Sequence, residues 1–208
     1  MSAELAVTID TNPFATRWVR PGAIAYRFAA HESPETLIQR LNVNGGWGEI
    51  IGPHGSGKST LLAALAPALE QQGRQIVKWE LHSGKRRGPT SLRAIAADER
   101  TTMIVDGYEQ LSRWQQWRLK RYLRARRAGL VITAHESHGL PTLWQTAPSL
   151  AMAQELARDL VAAHGGLITP EDVAAFYDRH HGNLRELFFG LYDLHEQRRQ
   201  QPAATSHG

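Results

Sequence analysis

The stretch Gly52-Pro-His-Gly-Ser-Gly-Lys-Ser-Thr60 constrains the fold of this chain more than any other. It lies between Gly48-Glu-Ile-Ile51 and the apolar run Leu61 to Leu69, so it reads as a short buried strand, a glycine-rich turn and a helix. Gly52, Gly55 and Gly57 open backbone conformations that a β-carbon forbids, letting successive N–H groups converge on one anion, with Pro53, His54, Ser56 and Thr60 completing the loop. Lys58 would carry a cation to the β- and γ-phosphates of a nucleotide, and Ser59 would offer a hydroxyl to Mg²⁺. The helix that follows adds the positive end of its dipole. An incidental lysine in a glycine-rich turn is the competing reading. The complete pattern with both flanks argues against it.

The rest of the composition bounds what surrounds that cradle. With 208 residues, 42 % of them apolar, the chain suits one domain or a domain with a small appendage. It has no cysteine, hence no disulfide and no thiolate metal site. The start Met-Ser-Ala-Glu-Leu-Ala lacks the pattern of a signal peptide, and Pro67 interrupts the longest apolar stretch, so no spanning helix or membrane partner is expected and a cytoplasmic location is the default expectation. The net charge is only +4, but the basic residues cluster.

Taken in order, the chain predicts a wrapping segment over 1–32, an α/β nucleotide-binding domain over 33–146, a three-helix lid over 147–196 and a flexible tail over 197–208. Ser33 and Pro34 open a helix through Leu41; Trp47 to Ile51 is the first strand; the helix from about Lys58 stops at Gly73, with a kink expected at Pro67. Gln75 to Leu81, Thr102 to Asp106 and Leu130 to Ala134 read as strands, with a short one at Thr142 to Thr146. His82 to Pro89 reads as a loop, Ser91 to Asp98 as a short helix and Leu111 to Arg127 as a longer one. Alternating strands and helices call for a mostly parallel sheet covered on both faces. After Pro148 only helices are expected, the second opened by Thr169-Pro-Glu-Asp172 and the third by Asn183-Leu-Arg-Glu186.

Four residues beyond the loop are candidates for the reacting end of the nucleotide. Asp106 closes an apolar strand, where a carboxylate can hold Mg²⁺ beside Ser59. Glu109 is the next acid and a candidate to orient water; a helix-end carboxylate is its plainer meaning. Thr133 and His135 end the next strand, and either could hydrogen-bond the γ-phosphate or the water.

The phosphate loop, Met103-Ile-Val-Asp-Gly-Tyr-Glu109, Leu130-Val-Ile-Thr-Ala-His135 and Gly182-Asn-Leu-Arg-Glu186 together resemble the AAA+ ATPases, over roughly residues 12 to 195. The resemblance implies a P-loop NTPase three-layer sandwich: α/β, with a parallel five-stranded sheet and a small C-terminal helical lid. It also implies ATP with Mg²⁺ held between core and lid, Arg185 as the lid's contact to the γ-phosphate, Thr133 or His135 as the sensor on the strand, and Asn12 to Gly22 beside the adenine. The chain departs from the family in two places. Asp106 is followed by Gly107 rather than an acid, as in the related signal-transduction (STAND-type) ATPases, and His135 to Gln145 contains no arginine that could serve a neighbouring subunit's site.

Three functions follow as expectations: an ATP-hydrolysing enzyme, a nucleotide-gated interaction module with little turnover, and, last, a small-molecule kinase. The basic helix adds a partner class. Arg113, Trp117, Lys120, Arg124 and Arg127 fall at four-three spacing on one face, Leu119, Tyr122 and Leu123 can pack inward, and Lys85-Arg-Arg87 forms a second cluster. Contact with nucleic acid or another polyanion, or with a second copy's nucleotide in a homo-oligomer, is set against a merely solvated basic face.

Overall fold

Apolar runs with the period of buried strands assemble into one sheet. A computed structural model describes residues 12–28, 31–82, 85–87 and 92–200. Among these residues the sheet has the strands β1 (Trp47–Ile51), β2 (Gln75–His82), β3 (Lys85–Arg87), β4 (Thr101–Asp106), β5 (Gly129–Ala134) and β6 (Thr142–Gln145), in the order β3-β2-β4-β5-β1-β6. The expected five strands are parallel. The sixth, β3, pairs antiparallel with β2 inside the segment that glycine and proline mark as a loop. The side chains of Lys85, Arg86 and Arg87, the second basic cluster, lie outside the described residues.

Alternation along the strands fills two cores. Ile50, Ile104, Val131 and Leu143 face α2 (Pro34–Val43) and α3 (Lys58–Gln71), meeting Leu37, Leu41, Leu61, Leu65 and Leu69. Met103, Val105, Leu130 and Ile132 face the other way, onto Leu119 and Leu123 of α4 (Arg113–Arg124). Local signals place the helix starts. Ser33 caps α2 with Pro34 behind it, and Ser112 caps α4, each side chain accepting from a backbone N–H three residues on. Pro67 does not end α3, which continues to Gln71 with the proline exposed, so water can reach the carbonyl left without a donor. The helix expected over Ser91 to Asp98 is reduced to a 3-10 turn, Leu92–Ala94.

The chain divides into two compact units, one of them Ala25–Ala147. The other joins α1 (Thr16–Val19) to α5 (Leu150–His164), α6 (Pro170–Arg179) and α7 (Leu184–Gln200) around Phe14, Ala153, Ala157, Val173, Leu187 and Leu191. The segment expected to wrap the α/β domain is therefore split. Phe14, fully buried against Phe188, takes the part up to Ile24 into the helical unit, a gain of about 2 kcal/mol or more, while Tyr26 and Phe28 pack on the α/β core. Asn12 fixes the junction by donating to Tyr192 O and Glu196 Oε1 at 3.1 and 2.8 Å. The tail expected from Gln197 also begins later. Arg198 donates two hydrogen bonds to the Asp172 carboxylate, at 2.5 and 2.8 Å, and so anchors α7 as far as Gln200.

Candidate functional site

The loop between β1 and α3 is built by sterics at its two ends. A β-carbon at Gly52 would lie 2.0 Å from Thr146 Oγ1 at the end of β6, and Gly57 sits at φ +92° as it enters α3. Between them Gly55 is also left-handed, while Ser56 is buried and bonds Pro53 O at 2.8 Å and Thr146 Oγ1 at 2.5 Å. Pro53 and His54 are exposed, and Ser59 and Thr60 begin α3 half-buried. Lys58 folds its ammonium back over the loop, donating to Gly52 O at 2.6 Å and Pro53 O at 2.7 Å. Three glycines, a lysine that has loop carbonyls as partners and a helix start together fit a polyphosphate.

Asp106 ends β4 one strand away from β1, across β5, and is 8 % exposed. The fully buried Thr133 of β5 donates its hydroxyl to Asp106 Oδ1 at 2.5 Å and accepts from Gly107 N at 2.9 Å. The hydroxyl thus spends its proton and one lone pair on the strand end that carries Asp106. The departure at Gly107 has a steric cause. Its φ is +86°, and a β-carbon there would lie 2.3 Å from Leu81 O, so an acid cannot directly follow Asp106.

The 3-10 turn Tyr108–Gln110 that follows carries the acid instead. Glu109 Oε1 lies 3.1 Å from His135 Nε2, while His135 Nδ1 lies 3.2 Å from Gly52 O. A neutral ring donates to one of these oxygens, an imidazolium to both. The His54 ring lies against that of His135, centroids 3.7 Å apart and planes tilted by 46°. Glu109 Oε2 is buried and has no hydrogen-bond partner among the described residues. Arg185 is exposed in the first turn of α7, whose first N–H groups bond to Asn183 Oδ1.

Residues that sequence reasoning passed over hold the site from behind. Glu49, fully buried in β1, accepts from Ser137 Oγ at 2.6 Å, His138 N at 2.9 Å and Leu140 N at 3.4 Å. Its carboxylate pins the loop after His135 from the strand that feeds the phosphate loop. An acid inside an apolar strand is the one local signal of this; its partners lie some ninety positions on. Lys120 donates to His138 O at 3.0 Å, and burial, with Arg124 nearby, lowers its pKa despite the field of Glu49. Burial raises the Tyr108 hydroxyl well above its usual range. Tyr26 stands beside Gly57, where a β-carbon would be 3.6 Å from its ring, and accepts from Trp144 Nε1 at 2.8 Å.

In α4, Leu119 and Leu123 face the core, and with Lys120 held at His138 O the stripe Arg113, Trp117, Lys120, Arg124 is not the outermost one; Arg127 lies beyond the helix, at φ +56°.

No group of three or more His, Asp or Glu side chains that could cage a metal exists among the described residues. Mg²⁺ needs no such cage. It takes one or two protein oxygens and completes its shell with phosphate and water, and a Ser59 hydroxyl with the Asp106 carboxylate suits that demand.

No family model matches the chain, and no curated protein matches it in sequence. Solved structures do match in fold. NtrX from Brucella abortus in complex with ADP aligns with a TM-score of 0.56 at 15 % identity, over 86 % of this chain and 53 % of that one. A DNA replication initiation factor aligns at 0.54 and 13 % identity, over 80 % of this chain and 62 % of its own. The replication initiator DnaA bound to AMPPCP and single-stranded DNA aligns at 0.51 and 13 % identity, over 77 % and 59 % respectively. This chain thus spans little more than half the length of these structures. The fold they share with it is that of the AAA+ P-loop ATPases.

Proposed function

We propose that this chain, an AAA+-type P-loop fold, binds Mg-ATP at the loop Gly52 to Thr60 and hydrolyses it. The observation that carries hydrolysis is the buried, unpartnered Glu109 Oε2. A carboxylate oxygen left so costs about 1–3 kcal/mol or more, a cost expected where the oxygen has a substrate or water to meet. The two nucleotide-bound structures among the fold relatives agree with a bound nucleotide.

In this reading Lys58 leaves Gly52 O and Pro53 O for the β- and γ-phosphates, and the loop N–H groups take the remaining charge. Ser59 and Asp106 would hold Mg²⁺, which supplies neutralisation of the phosphate oxygens. Thr133 fixes the rotamer of Asp106. Glu109 Oε2 accepts a proton from the attacking water while Oε1 stays on His135, which in turn reports the position of Gly52. A γ-phosphate contact by Arg185 rests on the Gly182-Asn-Leu-Arg-Glu186 string.

Gly107 favours a second reading, an ATP-gated module with little turnover, because it pushes the next acid along the chain three positions beyond Asp106 and onto His135. Lys58→Ala is expected to abolish Mg-dependent ATP binding; unchanged binding overturns both readings. A single-turnover measurement separates them. Phosphate release that Glu109→Gln lowers by about 10²-fold or more, with binding retained, supports the enzyme. Release at the uncatalysed rate supports the module.

A further inference from the structure

Helix α4 contains no acidic residue, and the side it turns to solvent is not the one that basic spacing alone selects. Leu119 and Leu123 are fully buried, which sets the rotation of the helix on the sheet. Trp114, Trp117, Arg118 and Arg121 recur three and four positions apart and so stack along the opposite side. The two indoles are 61 % and 57 % exposed. The Arg118 guanidinium lies over the Trp114 ring at 4.4 Å from its centroid, and that of Arg121 lies 5.7 Å from the Trp117 ring.

A solvated basic face explains the arginines but not two large aromatic rings kept in water, which gain nothing by exposure. Each cation–π pair holds an indole upright beside a guanidinium, and the guanidinium keeps its in-plane donors for an acceptor. A partner that answers both features carries flat π-systems and regular negative charge. A greasy protein groove would have to desolvate the arginines with no counter-charge. A membrane surface would want an apolar helix face, and that of α4 is already spent on the core. A duplex hides its base faces. We propose that this face of α4 binds single-stranded nucleic acid, with bases stacked on Trp114 and Trp117 and phosphates on Arg113, Arg118 and Arg121. None of these side chains belongs to the phosphate loop or to the Asp106, Glu109 and His135 cluster, so the inference stands whether or not ATP is hydrolysed.

The test uses the full chain with a fluorescent deoxythymidine homopolymer, read by anisotropy and by quenching of tryptophan fluorescence across a salt series. Binding of the homopolymer is expected to exceed that of a duplex of equal length and to quench the indoles. Trp114→Ala with Trp117→Ala should weaken it by about 30-fold or more, and Arg118→Ala with Arg121→Ala should flatten the salt slope by about 1.4. Unchanged melting temperature and ATP binding in both double variants establish that they are folded. Equal affinity for heparin and the homopolymer, without quenching and without loss in the tryptophan variant, overturns the proposal in favour of a plain polyelectrolyte surface. Absence of binding at low salt overturns it, and so does tryptophan-dependent self-association or attachment to anionic vesicles in place of the oligonucleotide.

Discussion

Glu49 and Asp106 are carboxylates on strands of one sheet, both withdrawn from water, and the chain answers them in opposite ways. Glu49 is surrounded by donors of a single loop, two backbone N–H groups and the Ser137 hydroxyl, which satisfy both of its oxygens. Asp106 receives the Thr133 hydroxyl on one oxygen at the end of its strand, at the mouth of the phosphate site. The first arrangement is complete within the protein and reads as a fastening. The second is gripped by a side chain of the neighbouring strand at the carboxyl end of the sheet, the place proposed for Mg²⁺. Burial by itself therefore does not mark a functional acid; where on its strand it sits and which elements reach it do.

Substitution should separate the two. Glu49→Ala strands three donors and leaves a cavity, a loss of about 3–5 kcal/mol, which thermal denaturation should show as a fall on the order of 10 °C. A melting temperature within 2 °C of the parent, by the roughly 2–4 °C expected per kcal/mol, would mean that the loop after His135 does not need its fastening. Asp106→Asn should leave the melting temperature nearly unchanged and instead weaken Mg-dependent ATP binding by about 10–100-fold in calorimetry. If the two variants traded phenotypes, the contrast would be inverted.

The smallest effect belongs to a third carboxylate. Asp172, in the helical unit, is held below its ordinary pKa chiefly by its hydrogen bonds from Arg198. A depressed folded-state value means that the contribution is complete above the unfolded pKa of about 4 and disappears as pH falls through the lower folded value. Asp172→Asn should therefore cost about 1 kcal/mol at neutral pH, and the difference from the parent should vanish in acid, once the pH has fallen through the lowered folded-state pKa. Melting curves of the two proteins across that range should converge; curves that stay parallel would assign the pair no electrostatic role.

How much of this was readable beforehand follows from how local each cause is. The phosphate loop, the apolar strands and the caps at Ser33, Ser112 and Thr169 are set by neighbours within a few residues, and they fall where the sequence puts them. The β3 edge was hidden because Lys85-Arg-Arg87 shows no apolar alternation, and what makes it a strand is its antiparallel pairing with β2. The clamp at Glu49 was hidden because its donors lie some ninety positions on in the sequence. The inward face of α4 was legible, since Leu119 and Leu123 fall at helical spacing and are buried, but the spacing of basic residues also selects Lys120, which the structure turns towards His138. Glu109 stood as a candidate water-orienting acid beside the plainer reading of a helix-end carboxylate, and only the 3-10 turn at Tyr108–Gln110 shows how it meets His135.

Gly52 O accepts from Lys58 and, where His135 carries a proton on Nδ1, from that imidazole as well, whereas the Pro53 carbonyl lies at an exposed position. So protonated, His135 lets the lysine depart without orphaning a carbonyl. Water replaces it at Pro53, and the imidazole stays at the buried Gly52. An arriving anion then exchanges one set of hydrogen bonds for another instead of first breaking the loop open, so the resting loop and the loaded loop differ by one side-chain rotation. Capture of the ligand should accordingly show a small activation barrier and little change in backbone order.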